Sequence, residues 1–138
     1  MTQINAYLAF DGNCKEAMTF YKECLGGELF LQTVGESPAA GEMPKETHNK
    51  VMHAGLSNGG ILLMASDMMK GEKYVIGNAV SLSLNCDTEE EIKRFFSKLS
   101  AGGKVTQPLE AAFWGATFGM LTDKFGMNWM LNYEKPKA

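Results

Sequence analysis

The chain has 138 residues, 45% of them apolar, and carries 13 Lys and Arg against 16 Asp and Glu for a formal charge of −3. That length fits one domain, or two small half-domains sharing a core. Scattered lysines on an acidic chain exclude a phosphate-neutralising stripe, so no nucleic-acid partner is expected. No apolar run of about 18 residues offers a membrane span, and the start Met1-Thr2-Gln3-Ile4-Asn5 lacks the basic and apolar regions of a signal peptide.

The first predicted element is a strand, "INAYLAF". Its alternation puts Ala6, Leu8 and Phe10 on an apolar face and Asn5, Tyr7 and Ala9 on the other. A helix follows the bend at Asp11-Gly12. Asn13 with Glu16 has the spacing of a capping box, and Ala17, Phe20, Tyr21, Cys24 and Leu25 recur at helical spacing. Gly26-Gly27 ends that helix. Three strands come next, "ELFLQTV", "KVMHAGLSN" and "GILLMAS", the last two joined by a hairpin turn at Asn58-Gly59-Gly60. Two aperiodic stretches, 35–49 and 66–78, are long enough to act as lids, with Met43, Met68 and Met69 as candidate lid contacts.

The pattern then begins again. Residues 80–106 align with 4–30 without a gap: Leu84 with Leu8, Asp87 with Asp11, Phe96 with Phe20, and Gly102-Gly103 with Gly26-Gly27. "AVSLSLNC" is the matching strand, with Leu82, Leu84 and Cys86 on one face and Ser81, Ser83 and Asn85 on the other. Thr88 with Glu91 repeats the helix start, and Ile92, Phe95, Phe96 and Leu99 repeat the apolar stripe. Strands follow at Lys104–Thr106, "ATFGMLTD" and "MNWMLNY", the last two linked by Asp123-Lys124-Phe125-Gly126. On the final strand Asn128, Met130 and Asn132 alternate against Trp129, Leu131 and Tyr133. The expected fold is therefore α+β: a duplicated β-α-β-β-β module. It forms one domain over 1–138, with repeat halves of about 1–66 and 79–134. One helix covers each half-sheet, and the opposite faces form a cleft or lie open to solvent.

The three cysteines, Cys14, Cys24 and Cys86, are an odd number without a CxxC pair and read as reduced thiols of a cytoplasmic protein. Cys24 and Cys86 fall on core faces. Cys14, in the first turn of the first helix, is either a small buried residue or an activated thiol. His53 reads as a cleft histidine that binds a ligand or serves as a general base, or as a structural histidine tied to a carbonyl. His48, in "MPKETHNK", reads as solvated. Glu36, Glu46 and Glu110 are acids near the expected cleft mouth, with no spacing that pairs them. No GxGxxG follows a strand, and HExxH and P-loop patterns are absent.

The duplicated pattern, with "YLAFDGNCKEAMTFYKECLGGEL" at the front and "FWGATFGMLTDKFGMNWML" at the back, resembles the vicinal oxygen chelate superfamily. That group contains glyoxalase I, the extradiol dioxygenases and the bleomycin and fosfomycin resistance proteins; the PhnB-like branch is the nearest likeness. The resemblance covers nearly the whole chain. It implies a cleft built by two curved half-sheets, often completed across a homodimer, in which the enzymes hold a divalent metal with histidine and glutamate ligands. By position those ligands fall at Asn5 (or Ala6, if the bend is read without an extra residue), His53, Ser81 and Met130. Met130 stands where metal-dependent relatives place a carboxylate, and only His53 is a good divalent ligand.

The expectation is thus a cytoplasmic, homodimeric, small-molecule-binding member of this group, without cofactor and without the usual metal. Its cleft is lined by Asn5, Tyr7, His53, Ser81, Ser83, Asn128 and Met130, with Trp114 at the edge. The alternative is a metal-dependent lyase, isomerase or dioxygenase in which His53 is a catalytic base or part of an atypical metal site.

Overall fold

The computed structural model describes residues 2–69, 73–113 and 115–135. Trp114 lies outside the described residues. The chain divides into two compact units, Met1–Tyr74 and Val75–Ala138.

The first unit holds β1 (Ala6–Phe10), α1 (Cys14–Leu25), β2 (Glu28–Thr33), β3 (Val51–Asn58) and β4 (Ile61–Asp67). Its sheet runs in the order β1-β4-β3-β2, with β1 parallel to β4 and the other pairs antiparallel. Ala17, Met18, Tyr21, Cys24 and Leu25 of α1 are buried. From the sheet, Phe10, Ala54, Leu56, Leu63 and Ala65 are buried with them. Each large apolar side chain so buried contributes about 1.5–3 kcal/mol. Met18, not Phe20, completes the buried stripe; Phe20 is half-buried.

The start of α1 differs from the sequence expectation. Asn13 makes no side-chain capping bond. The Cys14 amide instead donates to Oδ1 of Asp67 at 2.9 Å, and the Val51 amide donates to Oδ2 at 2.8 Å. Asp67 is buried at the end of β4. One carboxylate therefore receives a first-turn helix amide and the first amide of β3, a charge-assisted arrangement that the positive helix end favours. At the other end of α1, Asn58 Nδ2 donates to the Leu25 carbonyl at 2.8 Å. Gly27 lies beside β3, where a Cβ would run into the Ser57 carbonyl oxygen.

The second unit repeats the plan with β5 (Leu82–Asn85), α2 (Glu89–Ser100), β6 (Lys104–Ala111), β7 (Ala116–Thr122) and β8 (Asn128–Glu134), in the sheet order β5-β8-β7-β6. Here the cap forms as expected: Thr88 Oγ1 accepts from the Glu91 amide at 3.0 Å, and Glu91 Oε1 accepts from the Asp87 amide at 3.1 Å. Ile92, Phe95, Phe96 and Leu99 of α2 are buried. Gly103 repeats Gly27, with a Cβ there colliding with the Thr122 carbonyl oxygen. β6 is longer than the predicted Lys104–Thr106 and passes through Pro108. An edge strand tolerates proline, and its register with β7 shifts on either side of Gln107.

The β7–β8 link is organised by a second buried carboxylate. Asp123 Oδ2 accepts from Trp129 Nε1 at 2.8 Å, while Oδ1 accepts from the amides of Phe125 and Met127 at 2.8 and 3.1 Å. Removing either acid strands buried donors. Asp67→Ala and Asp123→Ala are each expected to cost about 2–4 kcal/mol. Urea unfolding should show this as a lower midpoint at an unchanged slope.

Candidate functional site

On each sheet the face away from the helix carries the residues singled out from sequence. In the first unit the register lines up Tyr7 (β1), Met64 (β4), Gly55 (β3) and Phe30 (β2) in one row across all four strands. Ala9 pairs with Ser66, and His53 with Gln32, one step further along. Tyr7, Phe30 and Leu62 are 52%, 58% and 40% exposed, an unusual investment of apolar surface on one sheet.

His53 stands between the two aromatic columns. Its ring centroid is 6.0 Å from that of Tyr7 and 6.4 Å from that of Phe30, and the Tyr7 hydroxyl lies 3.5 Å from Nδ1. Among the described residues, no backbone carbonyl holds this ring, so the structural-histidine reading loses its main support. Among those residues Nε2 has no hydrogen-bond partner either. Asn5 sits exposed just before β1. Phe30, Met64 and Gly55 were not picked out from sequence. The signal for Phe30 was its place between Glu28 and Gln32, on the polar side of "ELFLQTV".

In the second unit Ser83 pairs with Met130, Met130 with Met120, and Met120 with Gln107, again on the face away from the helix. Asn85 and Asn132 pair beside them. Ser81 is half-buried just before β5. Asn128 is already engaged: its Oδ1 accepts from Thr122 Oγ1 at 2.9 Å, and its Nδ2 approaches the Gly77 carbonyl at 3.5 Å.

The aperiodic stretches are tied down by side chains. His48, expected in solvent, is half-buried, and its Nε2 bridges the carbonyls of Ala40 and Met43 at 2.9 and 3.2 Å. Two acceptors identify Nε2 as the donor. Glu36 accepts from the Thr33 amide and hydroxyl, bonds that hold its carboxyl below the usual carboxylate range. Lys50 Nζ reaches the Met68 carbonyl at 3.0 Å, joining the end of the first stretch to the start of the second. Tyr74 donates to the Ala9 carbonyl at 2.7 Å and so covers a polar atom of the edge strand β1.

The metal implied by the resemblance meets a poor donor set. Among the described residues, no three His, Cys, Asp or Glu side chains come together as an ion-binding group. The expected ligand positions hold an amide (Asn5), an imidazole (His53), a hydroxyl (Ser81) and a thioether (Met130). Three weak neutral donors with one imidazole do not fit a zinc, nickel or iron(II) chelate site.

Cys14, Cys24 and Cys86 are buried and in no disulfide. Burial pushes the Cys14 thiol up to about 12, with the Asp67 charge adding to the effect, which overrides any gain from the helix start. Burial likewise pushes Cys86 up to about 12, with Glu91 and Asp87 adding.

A profile of the Glyoxalase/Bleomycin resistance protein/Dioxygenase superfamily matches residues 3–131. Protein YjdN of Escherichia coli (strain K12) is 34% identical, over 96% of this chain and 95% of its own. The crystal structure of protein PA1353 from Pseudomonas aeruginosa is 43% identical with a TM-score of 0.88, covering 99% of this chain and 100% of that one. A Bacillus cereus PhnB protein, described as a putative 3-demethylubiquinone-9 3-methyltransferase, is 30% identical with a TM-score of 0.76, covering 96% and 99%.

The thiols give a direct test. At pH 8 the native protein should leave all three cysteines unreacted toward a disulfide reagent such as dithiobis(nitrobenzoate), and unfolding should expose all three. A folded-state thiol pKa raised to about 12 means that its stabilising contribution is complete below the ordinary thiol pKa. That contribution should be lost as the pH rises from about 9 toward 12.

Proposed function

We propose that this chain, which belongs to the Glyoxalase/Bleomycin resistance protein/Dioxygenase superfamily, is a PhnB-like small-molecule-binding protein that works without the usual chelated metal. The observation that carries the reading is the helix-free face of the first sheet, where exposed Tyr7 and Phe30 flank an imidazole whose Nε2 has no hydrogen-bond partner among the described residues, and Leu62 is exposed further along the same face. Such a face offers apolar area for an organic ligand and one polar group to orient it. Asn5 beside it, and Ser81, Ser83, Asn128 and Met130 on the second sheet, are the further ligand-binding residues of this proposal, with Trp114 added from sequence. The donor set at the family's ligand positions supports binding without a metal.

The same proposal takes the protein as a cytoplasmic homodimer. Three buried cysteines in no disulfide suit a reducing compartment, and among the described residues no helix is long and apolar enough to cross a membrane. The methyltransferase description of the Bacillus cereus relative is not extended to this chain, whose sequence has no glycine-rich cofactor fingerprint after a strand.

A second reading, favoured by the approach of the Tyr7 hydroxyl to His53, is a lyase, isomerase or dioxygenase with His53 as the acid–base group. It calls for turnover of a vicinal dicarbonyl or diol that His53→Ala abolishes while the fold persists.

A thermal-shift screen of aromatic and other small organic compounds tests the binding reading. Stability should rise with ligand concentration, by about 2.7 kcal/mol at a hundredfold excess over Kd. Phe30→Ala and His53→Ala should each weaken the best compound about 3- to 10-fold. Flat melting temperatures across the screen would contradict the reading.

A further inference from the structure

Gly55 is a glycine that the fold does not need. It lies in the middle of β3, flanked in register by Phe30 and Met64. Its backbone is not in the left-handed region, and a Cβ built on it meets nothing within 4 Å. Gly119, in the matching strand β7, is different: a Cβ there would come within 2.8 Å of Phe96 and 2.9 Å of Leu109. Packing against α2 demands glycine at 119. Neither packing nor conformation demands it at 55, where a strand is weakened by its absence of side chain.

What glycine leaves at 55 is a recess in the exposed face. Phe30 and Met64 wall it on two sides, and their strands lie two spacings apart, about 9.5 Å. His53 and Ser57, two residues before and after Gly55 on β3, share the same face and close the other two sides about 7 Å away. A flat ring standing between two van der Waals neighbours needs about 7–8 Å. A puckered saturated ring is thicker and lacks a π-face for Phe30, for the edge of His53 and for the Met64 sulfur.

We infer that Gly55 is the specificity-determining residue of the site and that the ligand class is a planar aromatic compound, its ring seated on Gly55 between Phe30 and Met64. This rests on the small-molecule reading of the same face and narrows it. An edge substituent able to hydrogen-bond meets His53. Any side chain at 55 fills the seat without disturbing the core behind it, because its Cβ projects into open space.

The test uses 2-naphthol and its saturated counterpart decahydro-2-naphthol as probes of the full chain, followed by NMR shifts of the His53 and Phe30 rings. Naphthol should shift both rings saturably, and the saturated probe should bind at least tenfold more weakly. Gly55→Val should melt at or above the wild-type temperature and lose naphthol affinity at least tenfold, with Gly55→Ala intermediate and guarding against a misfolded valine variant. Equal binding of the two probes, or undiminished naphthol binding by a folded Gly55→Val, overturns the inference. So does a Gly55→Val that loses self-association in sedimentation but keeps naphthol, since the recess then seats a side chain of a second copy. Screen compounds that stabilise wild type and Gly55→Val alike would leave small-molecule binding standing and remove the ring seat. The absence of any stabilising compound would remove both.

Discussion

One helix cannot cover both faces of a sheet. Each unit has a single 12-residue helix and four strands, so each sheet buries one face and leaves the other to something else. In the first unit the buried face carries Phe10, Ala54, Leu56, Leu63 and Ala65 under α1. The opposite face exposes apolar and aromatic groups, Tyr7, Phe30 and Met64, beside His53. That asymmetry is the root of the functional reading. The backbone alternation that sends Leu56 inward necessarily sends Gly55 and Ser57 outward, so core and candidate site are specified by the same strand.

Two buried carboxylates hold this arrangement in register. Asp67 joins the start of α1 to the start of β3, and Asp123 joins the β7–β8 link to the Trp129 indole. Each accepts from backbone amides that would otherwise be unpaired in a buried setting, and hydrogen bonds to a charged acceptor are the strong ones. Asp67 accepts the first amide of β3, the strand that carries His53 and Gly55.

Much of this was legible in the sequence. The gapless alignment of 4–30 with 80–106 gave the duplication, and strict alternation gave the faces of β1, β5 and β8, because a period of two leaves little freedom. The α2 cap was legible in Thr88 and Glu91. The α1 cap was not, since Asn13 has the right chemistry but loses to a carboxylate 53 residues away in sequence, and local patterns cannot report distant partners. His48 read as solvated for the same reason: its carbonyl partners come from a loop fold with no periodic signature. β6 was cut short at Thr106, and only the sheet order reveals that Pro108 lies on an edge strand. The wall at Phe30 and Met64 and the gap at Gly55 needed the cross-strand register, which the sequence does not display.

The central claim is that this superfamily member presents an organic-ligand surface and not a chelate centre. The most direct measurement is elemental analysis of protein purified without chelator, followed by calorimetric titration with zinc, nickel, manganese and iron(II). The donor set at Asn5, His53, Ser81 and Met130 predicts no tightly bound metal and no saturable heat at micromolar concentration. One metal per chain, retained through purification and lost in His53→Ala, would contradict the account.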